Sequence, residues 1–143
     1  MKKIILLFSF LLVAGVTSSE LIGQCDPENF SNTCIPKLAT GFNFLKSYKI
    51  DGEDGSKEKV EYSYVFTKGT QYMINICAPG TDTDGIVVTL FDSGRNKVAT
   101  SKINGQFISA IAYPCNATGI YYIQYTFDGS AAKCGGSALG FKR

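Results

Sequence analysis

The stretch VEYSYVFTKGTQYMINIC, residues 60–77, decides the fold. Val60, Tyr62, Tyr64 and Phe66 recur at every second position, with Glu61 and Ser63 between them, so one side of an extended chain is apolar and the other polar. Lys68-Gly69-Thr70 turns the chain. Tyr72, Ile74 and Ile76 then resume the alternation against Met73, Asn75 and Cys77. A period of two cannot line one side of a helix, so this stretch is a pair of strands facing a core.

The same pattern continues outward in both directions. Pro79-Gly80 ends the second strand, and the dense apolar run from Ile86 to Phe91 reads as a strand covered on both sides. A turn at residues 92–96 leads into a polar strand near Lys97 to Ile103, and Asn104-Gly105 is a tight-hairpin dipeptide. Phe107 to Tyr113 and Gly119 to Phe127 come next. The latter puts Tyr121, Ile123, Tyr125 and Phe127 on one face and Ile120, Tyr122, Gln124 and Thr126 on the other. Phe44 to Ile50 opens the set and Ser137 to Phe141 closes it. The expected fold class is all-β: an antiparallel jelly-roll-like β-sandwich of about eight strands, with a closed barrel as the competing arrangement. Its core is expected to hold Val60, Tyr62, Tyr64, Tyr72, Ile74, Ile76, Val88, Leu90, Tyr121, Ile123 and Tyr125.

The start of the chain has a different character. Lys2 and Lys3 precede an apolar run from Ile4 to Val16, and small residues follow, which is the order of an export signal. Thirteen residues at about 1.5 Å each span roughly 20 Å, short of a roughly 30 Å hydrocarbon layer. Residues 1–24 are therefore read as a signal peptide cleaved between 18 and 24. The mature chain would be periplasmic, outer-membrane-associated or extracellular, with no membrane span. Residues 25–57 read as a lead-in plus the first strand. The lead-in from Cys25 to Thr40, with Pro27, Pro36 and no alternation, is expected to be irregular. Residues 58–143 form the main sandwich, and the two segments make one domain.

Composition excludes several function classes. Of fourteen basic residues two, Lys2 and Lys3, precede Glu20, where the twelve acidic residues begin, so the mature chain sums near zero. A sum near zero supplies no long-range field for nucleic acid or an anionic membrane. There is no histidine and no tryptophan. Without histidine there is no Ser-His-Asp or Cys-His catalysis and no His-ligated zinc or haem.

Export makes the five cysteines disulfide candidates. If successive strands run up and down, the loops holding Cys77 and Cys134 share one end, and Cys115 lies at the other. That argument pairs Cys77 with Cys134, and Cys115 with Cys34 or Cys25; a local Cys25–Cys34 bridge competes.

Three segments taken together carry a family resemblance: the Lys-Gly-Thr turn before Tyr72–Ile76, VTLFDSG at 88–94 and TGIYYI at 118–123. Their order resembles the bacterial pre-peptidase C-terminal domains, jelly-roll-like sandwiches appended to secreted proteases. The closing CGGSALGF, residues 134–141, is similar to secreted proteins of the Bacteroidota. The resemblance covers roughly 58–142 and lies in turn glycines and core aromatics, so it implies architecture rather than activity.

No catalytic set emerges. The acidic residues gather in loops, at Asp51, Glu53 and Asp54 and at Asp82 and Asp84, without an aromatic platform for glycoside hydrolysis. Gly80 to Gly85 has the outline of a calcium loop, but glycine stands at the first ligand position and Phe91 where the bidentate glutamate belongs. No cofactor is expected, a loose loop calcium being the one exception. The remaining candidates are Tyr122 and Gln124, on the face opposite the core, with Asp82 and Asp84 in a nearby turn. The reading is a secreted, non-catalytic interaction module, such as an accessory subunit of an envelope or surface protein assembly. A carbohydrate-binding module for a surface glycan is the alternative.

Overall fold

A computed structural model describes residues 25–143, the side chain of Asp54 excepted. The expected export signal, residues 1–24, lies outside the described residues. Ten strands follow one short helix: α1 Pro27–Cys34, β1 Asn43–Asp51, β2 Lys59–Phe66, β3 Gln71–Cys77, β4 Ile86–Phe91, β5 Lys97–Thr100, β6 Lys102–Ile103, β7 Gln106–Phe107, β8 Ala110–Pro114, β9 Gly119–Phe127 and β10 Cys134–Lys142. Two four-stranded sheets have the orders β1-β10-β3-β8 and β2-β9-β4-β5, and β6 and β7 form a separate hairpin. All pairings are antiparallel. With the hairpin set aside, the eight remaining strands cross from one sheet to the other at every step except β4 to β5, which pair as neighbours, and this is the jelly-roll arrangement.

The alternation read from the sequence places the core. Tyr72, Ile74, Ile76, Val88, Leu90, Tyr121, Ile123 and Tyr125 are buried, joined by Tyr48, Ile50, Phe66, Ile86, Ile111 and Leu139. Val60, Tyr62 and Tyr64 pack against this core but are half-buried. The reason is position: β2 is an edge strand, so its inward side chains have a neighbouring strand on one side only. Phe66 lies between Tyr72, at 3.8 Å between ring centroids, and Tyr121, at 4.7 Å.

Two strand assignments change. The polar strand expected over 97–103 stops at Thr100, because the buried Ser101 hydroxyl accepts the Val88 amide and diverts the chain. The expected 107–113 strand likewise divides into β7 and β8, leaving β6 and β7 outside both sheets.

The lead-in is a correction. Residues 27–34 form a helix, not irregular chain: Asp26 caps it, its Oδ1 accepting from Asn29 N at 3.1 Å, and Pro27 opens it. Proline in the first turn starts a helix as readily as it interrupts one elsewhere. This helix lies on the outer face of β10, where Gly136 and Ala138 leave room and Leu38, just beyond the helix, fills the space at Gly140; a Cβ on Gly136 would run into the Ser31 backbone.

The disulfides also differ from expectation. Cys25 pairs with Cys134 and Cys34 with Cys77, while Cys115 is free and buried. Cys77 and Cys134 do lie at one end, with Cys77 opposite Gly136 across the ladder. However, the helix brings both lead-in cysteines to that same end, and each takes one of them. Cys115 is left at the far end with no thiol in reach. Helix α1 is thus tied at both ends to the β1-β10-β3-β8 sheet, and Asn75 completes the joint by donating to Cys34 O and accepting from Ala138 N.

Candidate functional site

With α1 on one sheet, no described helix covers the outer face of the other, where Val65 and Ile120 are exposed although Val87 is buried. There the strand register sets Tyr122 of β9 between Ser63 and Phe91, and Gln124 between Glu61 and Thr89. The turn after β4 adds Arg95 to them. Asp92 Oδ1 accepts the amides of Gly94 and Asn96, each at 2.9 Å, and folds the turn back over the sheet. Arg95, at φ 63°, then lays its guanidinium 3.5 Å from the Tyr122 ring centroid. Its Nη1 donates to both Glu61 oxygens, at 2.9 and 3.0 Å, and Gln124 Nε2 donates to Glu61 at 3.1 Å. Partial burial by itself would raise the Glu61 carboxyl, but the hydrogen bonds from Arg95 and Gln124, with the guanidinium charge, bring it below its ordinary range. Tyr122 and Gln124 therefore belong to one ordered cluster, and Arg95 already occupies a face of the tyrosine ring.

Beside this cluster, Val65 and Ile120 stand directly opposite each other on β2 and β9. They are 57% and 49% exposed, respectively. The sequence holds a signal for both: each is an apolar residue out of phase with its strand's alternation. Arg95 has no such signal, because only the turn brings it over the sheet.

Asp82 and Asp84 are not part of this arrangement. They precede β4 and Tyr122 lies beside its end, so the length of β4, six residues, separates them by roughly 20 Å. Asp84 faces inward to the turn before β10, where its carboxylate accepts from Ser130 Oγ and the amides of Ala131 and Ala132. It clamps two loops together. Asp82 projects into solvent, 77% exposed, with Lys37 at 4.0 Å. The two carboxylates do not converge, and no group of three or more metal-ligating side chains occurs among the described residues.

Charge is segregated along the strands. Asp51, Glu53, Glu58, Asp82, Asp84 and Asp128 lie at the end where Cys134 sits, partly matched by lysines such as Lys57, 2.9 Å from Glu53. The turns at the other end carry Lys68, Arg95 and Lys97, with Lys142 and Arg143 at the chain terminus, against Asp92. The near-zero sum hides this separation. The basic end holds a cleft of about 380 Å³ between the turn after β4 and the turn after β8, lined by Ser93, Val98, Tyr113, Asn116 and Tyr121 among others. Cys115 lies beneath it, 3.6 Å from the Tyr121 hydroxyl, which donates to Ala117 O at 2.8 Å. Burial, with Tyr113 and Cys115 alongside, pushes the Tyr121 hydroxyl up, so it stays protonated.

The geometry defines a disulfide-tied jelly-roll sandwich with one covered sheet, one open sheet, and opposite charge at its two ends. No family model matches the chain. Nor does any curated protein match its sequence significantly. Its structure is similar to that of Aeromonas hydrophila PliG, described as a periplasmic lysozyme inhibitor of g-type lysozyme. That likeness has 14% identity and a TM-score of 0.45, over 73% of this chain and 91% of that one. No helix among the described residues is long and apolar enough to cross a membrane.

Proposed function

We propose that the chain is an exported, non-catalytic protein-binding module whose partner docks on the open outer face of the β2-β9-β4-β5 sheet. The observation that carries this reading is the exposed Val65–Ile120 pair set against the Arg95–Tyr122 stack, on the one sheet that the helix leaves uncovered. Aliphatic surface beside an ordered arginine and tyrosine has the composition of a protein interface. A sugar-binding platform needs a free aromatic face, and Arg95 covers one side of Tyr122. Two disulfides and the charged-apolar-small leader support export. An envelope or surface assembly is the setting in which such a module would act.

The test is capture from a solubilised envelope extract by the immobilised mature chain, with disulfides intact. A stoichiometric protein should be retained by the parent, lost with Ile120→Asp or Tyr122→Ala, and kept with a control substitution at Asp82. Thermal melts of the variants should match the parent. Binding on a glycan array without any protein capture would instead establish the carbohydrate-binding alternative.

A further inference from the structure

Four strands lie at the edges of the two four-stranded sheets: β1, β8, β2 and β5. An edge strand presents unpaired N–H and C=O groups, and proteins blunt such edges with bulges, short length, proline or charge. Three of these edges are blunted. β1 is bulged between Phe44 and Lys46, and its Lys49 carbonyl accepts the Tyr62 hydroxyl at 2.6 Å. β5 is four residues long, begins with Lys97 and is out of register where Leu90 gives way to Phe91. β8 is five residues long and ends in Pro114.

β2 differs from all three. It is eight residues long, contains neither Gly nor Pro, and pairs with β9 without a register shift. Lys59 stands at its first position, and the Glu61 carboxylate is drawn across the outer face to Arg95 and Gln124. From Tyr62 to Phe66 the strand carries no charge. Among the described residues, no turn or loop backbone bonds to residues 59–66.

We propose that the free edge of β2 takes up an extended strand from a protein partner, adding a fifth strand to the β2-β9-β4-β5 sheet. This rests on the protein-binding reading above and says how the partner is held. The edge itself selects the occupant: alternate residues offer an N–H and a C=O at the spacing of a β-ladder, which an extended polypeptide matches and a lipid headgroup or sugar does not. The added strand would cover the half-buried Val60, Tyr62 and Tyr64 on its inner side. On its outer side it would lie next to Lys59, Ser63 and Val65, which calls for an acidic residue opposite Lys59, a polar one opposite Ser63 and an apolar one opposite Val65.

The experiment is hydrogen–deuterium exchange on the complex captured from the envelope extract, compared with the free mature chain. Amides of residues 59–66 should slow by about ten-fold or more, with those of 103–108 unchanged. Val65→Lys, which charges the edge, should lower capture by about ten-fold with an unchanged melt. Ser63→Pro serves as the second block wherever it melts like the parent. A captured partner that protects other segments and leaves 59–66 unchanged overturns strand addition but leaves the protein-binding reading in place. Failure to capture any protein overturns both. Protection of 59–66 that rises with concentration in the isolated chain, together with a dimer mass, makes the occupant a second copy and overturns the partner form.

Discussion

A methyl group at Gly136 tests how α1 is seated. A Cβ there would point at the Ser31 amide and lie 2.5 Å from the Phe30 carbonyl carbon. Carbon atoms in contact sit about 3.5–4.0 Å apart, so the helix must move by roughly 1 Å or more. The obstacle is helix backbone, which has no rotamer to change. Cys25–Cys134 and Cys34–Cys77 hold both ends of the helix, so it cannot swing away. Its movement would also disturb the 2.8 Å bond from Asn75 Nδ2 to Cys34 O. Overpacking costs about 1–3 kcal/mol and a compromised buried hydrogen bond about 1 more. Gly136→Ala should therefore lose about 2–4 kcal/mol. At about 4 °C per kcal/mol for a domain of this size, the melt should fall by about 8–16 °C, read by circular dichroism on the oxidised protein. Gly69→Ala is the comparison. Its φ is +84° with nothing within 4 Å of an added Cβ, so only backbone strain opposes it. That strain is worth about 1–2 kcal/mol. A Gly136→Ala melt no lower than that of Gly69→Ala would refute the seating of α1 on β10.

Alkylation without reduction should label one thiol per chain, and only after denaturation, because Cys115 is 4% exposed and the other four cysteines are paired. Labelling of Cys77 or Cys134 in mass spectra would contradict the disulfide map. Ile123→Ala, on the strand between β2 and β4 at 0% exposure, should cost about 2–5 kcal/mol, visible as a large fall in the urea midpoint. The lowered Glu61 pKa fixes the sign of a pH effect. A carboxylate held below its unfolded value of about 4.5 contributes stability above that pH and loses it as pH falls through the folded value. Glu61→Gln should thus melt below the parent at neutral pH, with the gap closing on acidification; a gap that widens in acid would refute the Arg95–Glu61 pairing.

Local chemistry was enough to read most of the sandwich from the sequence. Tyr72, Ile74 and Ile76, or Tyr121, Ile123 and Tyr125, declare a buried face because side chains alternate across a strand whatever lies beyond it. The turn at Asn104-Gly105 is equally local, with φ of 51° and 76°. Helix α1 has a local signal too, the Asp26 cap followed by Pro27, but at eight residues it is too short to show a helical period, and two prolines without alternation equally suit an irregular lead-in. What no local pattern contains is which segments meet. The cysteine pairing turned on where the helix docks, and that depended on small residues in β10, some hundred positions away. The open face was likewise settled by α1 covering the opposite sheet. Tyr122 and Gln124 were visible as outward residues, but Arg95 and Glu61 lie 34 positions apart and meet only through the turn after β4. Alternation fixes the direction a side chain faces, whereas its neighbours there depend on long-range register and layer packing, which only the tertiary structure decided.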